Sequence, residues 1–150
     1  MKKVLSFFIA GMMLGILLFS CNADPDSKIA EVTDFYTSYM ESRYSPTLDY
    51  IDYLYDVSEE ERQLMELSMN DQLLDYEIRK VRQINENLYE VICFVKSSYI
   101  PNYFQECYNF VGIIDDRMYC FLNPYKVPTE IRENLNFEDY SYGENVMFED

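Results

Sequence analysis

The chain has 150 residues, the length of one domain, and its 49% hydrophobic and 26% charged residues form a globular balance that excludes wholesale disorder. Acidic side chains outnumber basic ones 27 to 12, and a net charge of −15 repels phosphates, which excludes nucleic acid as a partner. There is no His and there are only four Gly, which removes His-based catalysis, His-ligated metal sites and Gly-rich phosphate loops.

The chain opens on Met1-Lys2-Lys3, and from Val4 to Ser20 it is almost wholly apolar. That run is shorter than the roughly 20 residues a spanning helix needs, and with its positive start it reads as a secretory signal. It ends in Leu18-Phe19-Ser20-Cys21, followed at once by the polar Asn22-Ala23-Asp24-Pro25-Asp26. This pattern resembles the lipobox of bacterial lipoproteins, although Phe19 stands where most of them carry a small residue. The resemblance implies cleavage after Ser20 and a diacylglycerol on the Cys21 thiol. Residues 1–20 are then a signal peptide and 21–27 a lipidated Cys with a short tether. Residues 28–127 form an α+β domain, and 128–150 an acidic, aromatic tail. The expected location is extracytoplasmic, lipid-anchored to the bacterial cell membrane or outer membrane. Loss of Lys2 and Lys3 makes the mature chain still more acidic, so anionic headgroups repel the globule that the lipid tethers.

Ile29, Val32, Phe35, Tyr36, Tyr39 and Met40 recur at helical spacing and predict an amphipathic helix, with Asp26 or Ser27 as its cap. Ser45-Pro46 reads as a cap followed by Pro at the first helical position, opening a second, shorter helix with Leu48, Ile51, Leu54 and Tyr55 on one face. Ser58 and Glu61 stand in the positions of a capping box and predict a third helix reaching about Met69. Beyond Asn70 the period changes from helical to alternating. Leu74 to Ile84 and Leu88 to Ser98 form a hairpin about Asn85-Glu86-Asn87. Cys107 to Ile114 and Arg117 to Leu122 form a second one about Asp115-Asp116. Phe110 with Phe121 and Val111 with Cys120 make that second pair apolar on both faces, so it is central or doubly covered. A short helix is expected over Thr129 to Leu135.

The predicted fold is therefore α+β: three N-terminal helices packed on a curved four-stranded antiparallel sheet. Over residues 28 to 125 this order resembles the nuclear transport factor 2-like superfamily, a cystatin-like roll. The strands Asp75 to Ile84 and Tyr89 to Lys96 stand for that fold's long pair. The resemblance implies a cone-shaped interior. Some members are isomerases or dehydratases that use Asp, Tyr and often His there.

No catalytic, metal-binding or cofactor-binding residue is assigned, and no cofactor is expected. The leading reading is a non-catalytic module that binds a small apolar ligand or another envelope protein, with the membrane held through the anchor. The pocket or partner surface is expected to draw on Tyr36, Tyr39, Tyr99, Tyr103, Phe104, Phe110 and Tyr119. The alternative is a small isomerase- or dehydratase-like enzyme using an Asp/Tyr pair, for which Asp75, Tyr76, Tyr36 and Tyr39 are to hand. A third reading, a purely structural protein, requires a broad exposed aromatic patch. Arg79, Lys80 and Arg82 on the first strand read either as an anion patch or as charge that guards a sheet edge. The aromatic stretch Tyr99 to Phe104 reads as a loop between strands. On that basis Cys93 falls near Val111; the Asp115-Asp116 turn sets Cys120 opposite Val111 and leaves Cys107 beyond the end of the partner strand, and Cys93, Cys107 and Cys120 are expected to be free thiols. A Cys107–Cys120 bridge stays open should the hairpin carry a bulge.

Overall fold

The computed structural model describes residues 25–44, 47–67, 72–137 and 147–149. The signal and lipobox, the Ser45-Pro46 cap and much of the acidic tail lie outside the described residues.

Helix α1, Pro25–Ser42, opens on a Pro, which costs nothing where the backbone N–H has no partner within the helix. Its stripe of Val32, Tyr36, Tyr39 and Met40 is buried, as the spacing predicts. The sheet is an antiparallel meander in the order β1-β2-β3-β4: β1 Leu73–Asn85, β2 Leu88–Ser97, β3 Ile100–Ile114 and β4 Arg117–Phe121. A short β5, Met147–Glu149, adds to β3 at Tyr103–Gln105, ahead of the stretch of β3 that β4 pairs with. Register shifts at three places on β1 mark the bulges that bend this edge. The second hairpin turns on Asp115 and Asp116, both in the left-handed region (φ 50° and 61°), as a two-residue turn of type I′ requires.

The expected packing of three helices on the sheet is not what the chain does. Among the described residues there are two α-helices, and only α1 lies against the sheet with a buried face. The second predicted helix is a single 3-10 turn, Asp49–Tyr53. The reason is in its own spacing. Leu48, Ile51 and Leu54 are three apart, the repeat of a 3-10 helix, and Leu54 is extended and bridges to Cys120 beside β4. Asp56 then turns the chain with φ 47°. The third predicted helix forms as α2, Glu59–Leu67, yet none of its residues is buried. Its capping box is complete: Ser58 N donates to Glu61 Oε2 at 3.0 Å and Glu61 N to Ser58 Oγ at 3.2 Å. Local chemistry therefore makes α2, while Leu64 and Leu67 stay exposed.

Two apolar clusters sandwich the sheet. On one face α1 meets Tyr89, Val91, Cys93, Val111 and Cys120. On the other, Leu88, Phe110 and Phe121 are covered by Val127, Ile131 and Leu135. The chain from Pro124 onward runs across that second face in two 3-10 turns, Pro124–Lys126 and Thr129–Ile131, in place of the predicted helix. Asn85 pins it there, its Nδ2 donating to Ile131 O at 3.0 Å and to Glu133 O at 2.6 Å.

Candidate functional site

The seven residues singled out from the sequence do not gather in one pocket. Tyr36 and Tyr39 are 0% and 1% exposed, and they fill the space between α1 and the sheet. Phe110 is buried on the opposite face, where Tyr119 packs edge-on against Tyr55 at 5.2 Å between ring centres. Tyr99 stands at the β2–β3 turn, exposed. Tyr103 and Phe104 are half-buried within β3, and the Lys96 ammonium lies 5.3 Å from the Phe104 ring centre.

That last placement corrects the loop expected over Tyr99 to Phe104. Ile100 opens β3, which is 15 residues long. Pro101 is tolerated because it lies close to the turn, near the strand's start. The longer strand changes the partner of Cys93. Cys93 faces Cys107, not Val111, while Cys107 lies beyond the stretch that β4 pairs, which ends at Phe110 opposite Phe121, as the turn predicts. Cys120 faces Val111, as the two-residue turn predicts. All three are thiols in the structure, with Cys93 and Cys120 buried and Cys107 half-buried.

The interior between α1 and the sheet holds a buried polar pair. Asn109 Nδ2 donates to Tyr36 Oη at 2.7 Å. Burial raises the Tyr36 phenol well above its ordinary range, with neighbouring thiols adding to the rise. Tyr39 Oη is buried without a well-formed hydrogen bond among the described residues, with Arg43 as a loose partner. Burial raises its pKa too, and the Arg43 charge opposes that rise through space. Of the carboxylates offered for an Asp/Tyr pair, Asp75 is exposed and accepts from the Tyr76 backbone N–H at 2.8 Å. Glu90 is buried, but the Arg82 guanidinium pins it at 2.9 Å, and its cross-strand partner is Phe110, on the face away from Tyr36. Arg79 is likewise committed, paired with Glu77 at 2.9 Å and stacked over Phe94 at 4.7 Å. Two of the three basic residues on β1 thus serve the sheet's own face.

The feature best suited to a partner is a cleft of about 630 Å³ where the middle of α1, the 3-10 turn and the β3–β4 turn meet. Phe35, Tyr53 and Met118 provide its apolar surface, and Glu31, Asp49, Asp52 and Asp116 its acidic rim, with Arg117 beside them. Phe35 and Tyr53 lie 5.5 Å apart at 53°, so their ring faces do not cover one another. Arg117 is turned onto the Tyr119 ring (5.1 Å) and donates to Asp52 O at 3.5 Å, and Lys28 holds Glu31 at 2.7 Å. Asp49 takes one hydrogen bond from Thr47 Oγ1 at 2.6 Å. The rim remains net negative after these pairings. A cation with an apolar stem is the ligand chemistry that such a surface accepts, because ring quadrupoles and carboxylates act on it in the same sense. The sequence reading missed this cleft. Phe35 was visible as a helix-face residue and Asp115-Asp116 as a turn, but only the tertiary fold brings them together.

A second depression, about 360 Å³, lies between Tyr55, Tyr125 and Arg132. Its cations are engaged, Lys126 with Glu61 and Arg132 with Thr129. Among the described residues no helix is long and apolar enough to cross a membrane, and no group of three or more His, Cys, Asp or Glu is placed to hold a metal ion. No family model, curated protein or solved structure matches the chain.

Proposed function

We propose that this chain is a non-catalytic binding module, anchored outside the cytoplasm by a lipidated Cys21, whose cleft takes a basic side chain of a partner envelope protein. The observation that carries the reading is the make-up of the cleft, aromatic and apolar within and acidic around. A Lys or Arg side chain matches it, with an apolar stem and a cationic head. A ligand lodged between α1 and the sheet is less well supported, because Tyr36, Tyr39, Met40 and Val91 fill that space and are all at most 1% exposed. The anchor rests on the lipobox-like Leu18-Phe19-Ser20-Cys21. Glu31 and Phe35 lie in the middle of α1, six and ten residues beyond its start at Pro25, so the cleft sits within about 15 Å of the helix's N-terminal end. A juxtamembrane basic segment is the partner this placement favours.

The test is a nuclear magnetic resonance titration with the capped peptide Gly-Gly-Arg-Gly-Gly in physiological salt. The expected result is saturable shifts confined to Phe35, Tyr53 and Met118, weakened several-fold by Asp49→Asn with Asp52→Asn, and absent with a citrulline peptide. Shifts scattered over the acidic surface, or unchanged in the double variant, would contradict the proposal.

A further inference from the structure

Cys93 on β2 and Cys107 on β3 are register partners. Ile113 N donates to Asn87 O at 2.9 Å, which marks that pair as hydrogen-bonded. From there the register runs unbroken from Leu88↔Gly112 to Val95↔Gln105. Hydrogen-bonded and open pairs alternate along an antiparallel ladder, so Cys93 and Cys107 form a hydrogen-bonded pair, with Cα atoms about 5.5 Å apart. Residues directly opposite share a face of the sheet. Disulfides span Cα separations of roughly 4.4–6.8 Å and Cβ separations of about 3.5–4.5 Å; opposite residues of a hydrogen-bonded pair hold their Cβ atoms near the wide end of about 4.5–5.5 Å, so forming the bond draws the two strands together by about 1 Å at this pair. Cys120 lies outside this geometry. It is level with Val111, four residues along β3 from Cys107, and two strands away from Cys93.

We propose that Cys93 and Cys107 are joined by a cross-strand disulfide when the chain folds in the presence of a thiol–disulfide donor. The thiolate of Cys107, the half-exposed member, attacks one donor sulfur and releases the first donor thiol. The thiolate of Cys93 then attacks the Cys107 sulfur of that mixed disulfide and releases the second. The protein dithiol loses two electrons and two protons, and the donor disulfide gains them as two thiols. Burial pushes the Cys93 thiol up to about 12 and raises Cys107 as well, so the folded protein presents little thiolate. The exchange therefore belongs to folding, before the sheet closes over both sulfurs. The bond ties together the far half of the β2–β3 hairpin, beyond the stretch of β3 that β4 supports. Its occurrence in cells rests on the extracytoplasmic placement proposed above, whereas the pairing itself rests on the register alone.

The full chain is unfolded with reductant, refolded in a mixture of oxidised and reduced glutathione, blocked with N-ethylmaleimide in denaturant at acidic to neutral pH and digested with trypsin without reduction. The Lys and Arg positions place each cysteine on its own peptide: 4–28 carries Cys21, 83–96 carries Cys93, 97–117 carries Cys107 and 118–126 carries Cys120. The expected product links 83–96 to 97–117 and leaves 4–28 and 118–126 blocked, and Cys120→Ser does not change the link. Four blocked peptides, or a link through Cys21 or Cys120, would overturn the pairing. A link that forms on refolding but is missing from protein isolated from cells would overturn the extracytoplasmic placement and leave the pairing standing.

Discussion

Gly112 tests how the second face of the sheet is closed. It sits in β3 between Leu88 and Tyr119, and its backbone is ordinary extended strand. The need for Gly is steric. A Cβ at this position would lie 2.6 Å from Ile131 Cδ1 and 2.6 Å from Phe121 Cε2. Carbon atoms pack at about 3.5–4.0 Å, so both neighbours must withdraw by roughly 1 Å. Ile131 can turn its end group, but the Phe121 ring is wedged among buried residues. Overpacking of this kind costs about 1–3 kcal/mol. Gly112→Ala is expected to lower the urea unfolding free energy by that amount. Ile131→Val alone removes the Cδ1 methyl and costs about 0.5–1.5 kcal/mol. Combined, the two should destabilise by at least 0.5 kcal/mol less than their sum, because the Val opens room for the Ala; ~0.5 kcal/mol is where coupling exceeds ordinary additivity. Equilibrium urea melts of the four proteins, read by circular dichroism, give the cycle. A neutral Gly112→Ala, or strict additivity, would refute the docking of the chain beyond Pro124 on this face.

Three further outcomes follow from the polar groups. Tyr36→Phe strands the buried Asn109 amide and is expected to cost about 1–3 kcal/mol, whereas the Tyr39 hydroxyl keeps only a loose interaction with Arg43, so Tyr39→Phe is expected to cost clearly less; equal losses in urea melts would contradict the distinction. Hydrogen bonding from Lys126, and then from Ser58, holds the Glu61 carboxyl at about 2 against an ordinary 4.5. Its contribution to stability is therefore whole above pH 4.5 and is lost as pH falls towards 2. The gap in unfolding free energy between wild type and Glu61→Gln should close over that window, and a gap independent of pH would contradict this. Arg82→Met leaves the Glu90 carboxylate buried without its 2.9 Å partner. Because Arg82 is half exposed and water can take part of its place, the expected loss is about 1–2 kcal/mol by thermal melt, and no loss would show that the pair carries no weight.

Much of the framework was legible in local pattern. The apolar stripe of α1, the Ser58–Glu61 box, both hairpin turns and the partners across Asp115-Asp116 follow from spacing and turn chemistry that neighbouring residues settle among themselves. What failed depended on distant contacts. Leu48, Ile51 and Leu54 fit both helix types until Leu54 bridges Cys120, and that bridge lies across the fold. Pro101-Asn102 has the composition of a loop, yet pairing with β2 and β5 carries β3 back to Ile100. That shift of the strand's start decides which cysteines meet. The cleft needed three separate segments to converge, so the side chains proposed from composition, the tyrosines above all, turned out to be core or scattered surface. Aromatic side chains bury large areas whether or not they bind anything.

The account turns most on where the mature chain begins and what it carries there. Intact and peptide mass spectrometry of the protein isolated from both the membrane and the soluble fractions of its native cells decides this in one measurement. The account predicts a first residue of Cys21 bearing a diacylglycerol, with Met1 to Ser20 gone. A terminus that retains those residues, or an unmodified Cys21 thiol on a soluble product, would contradict it.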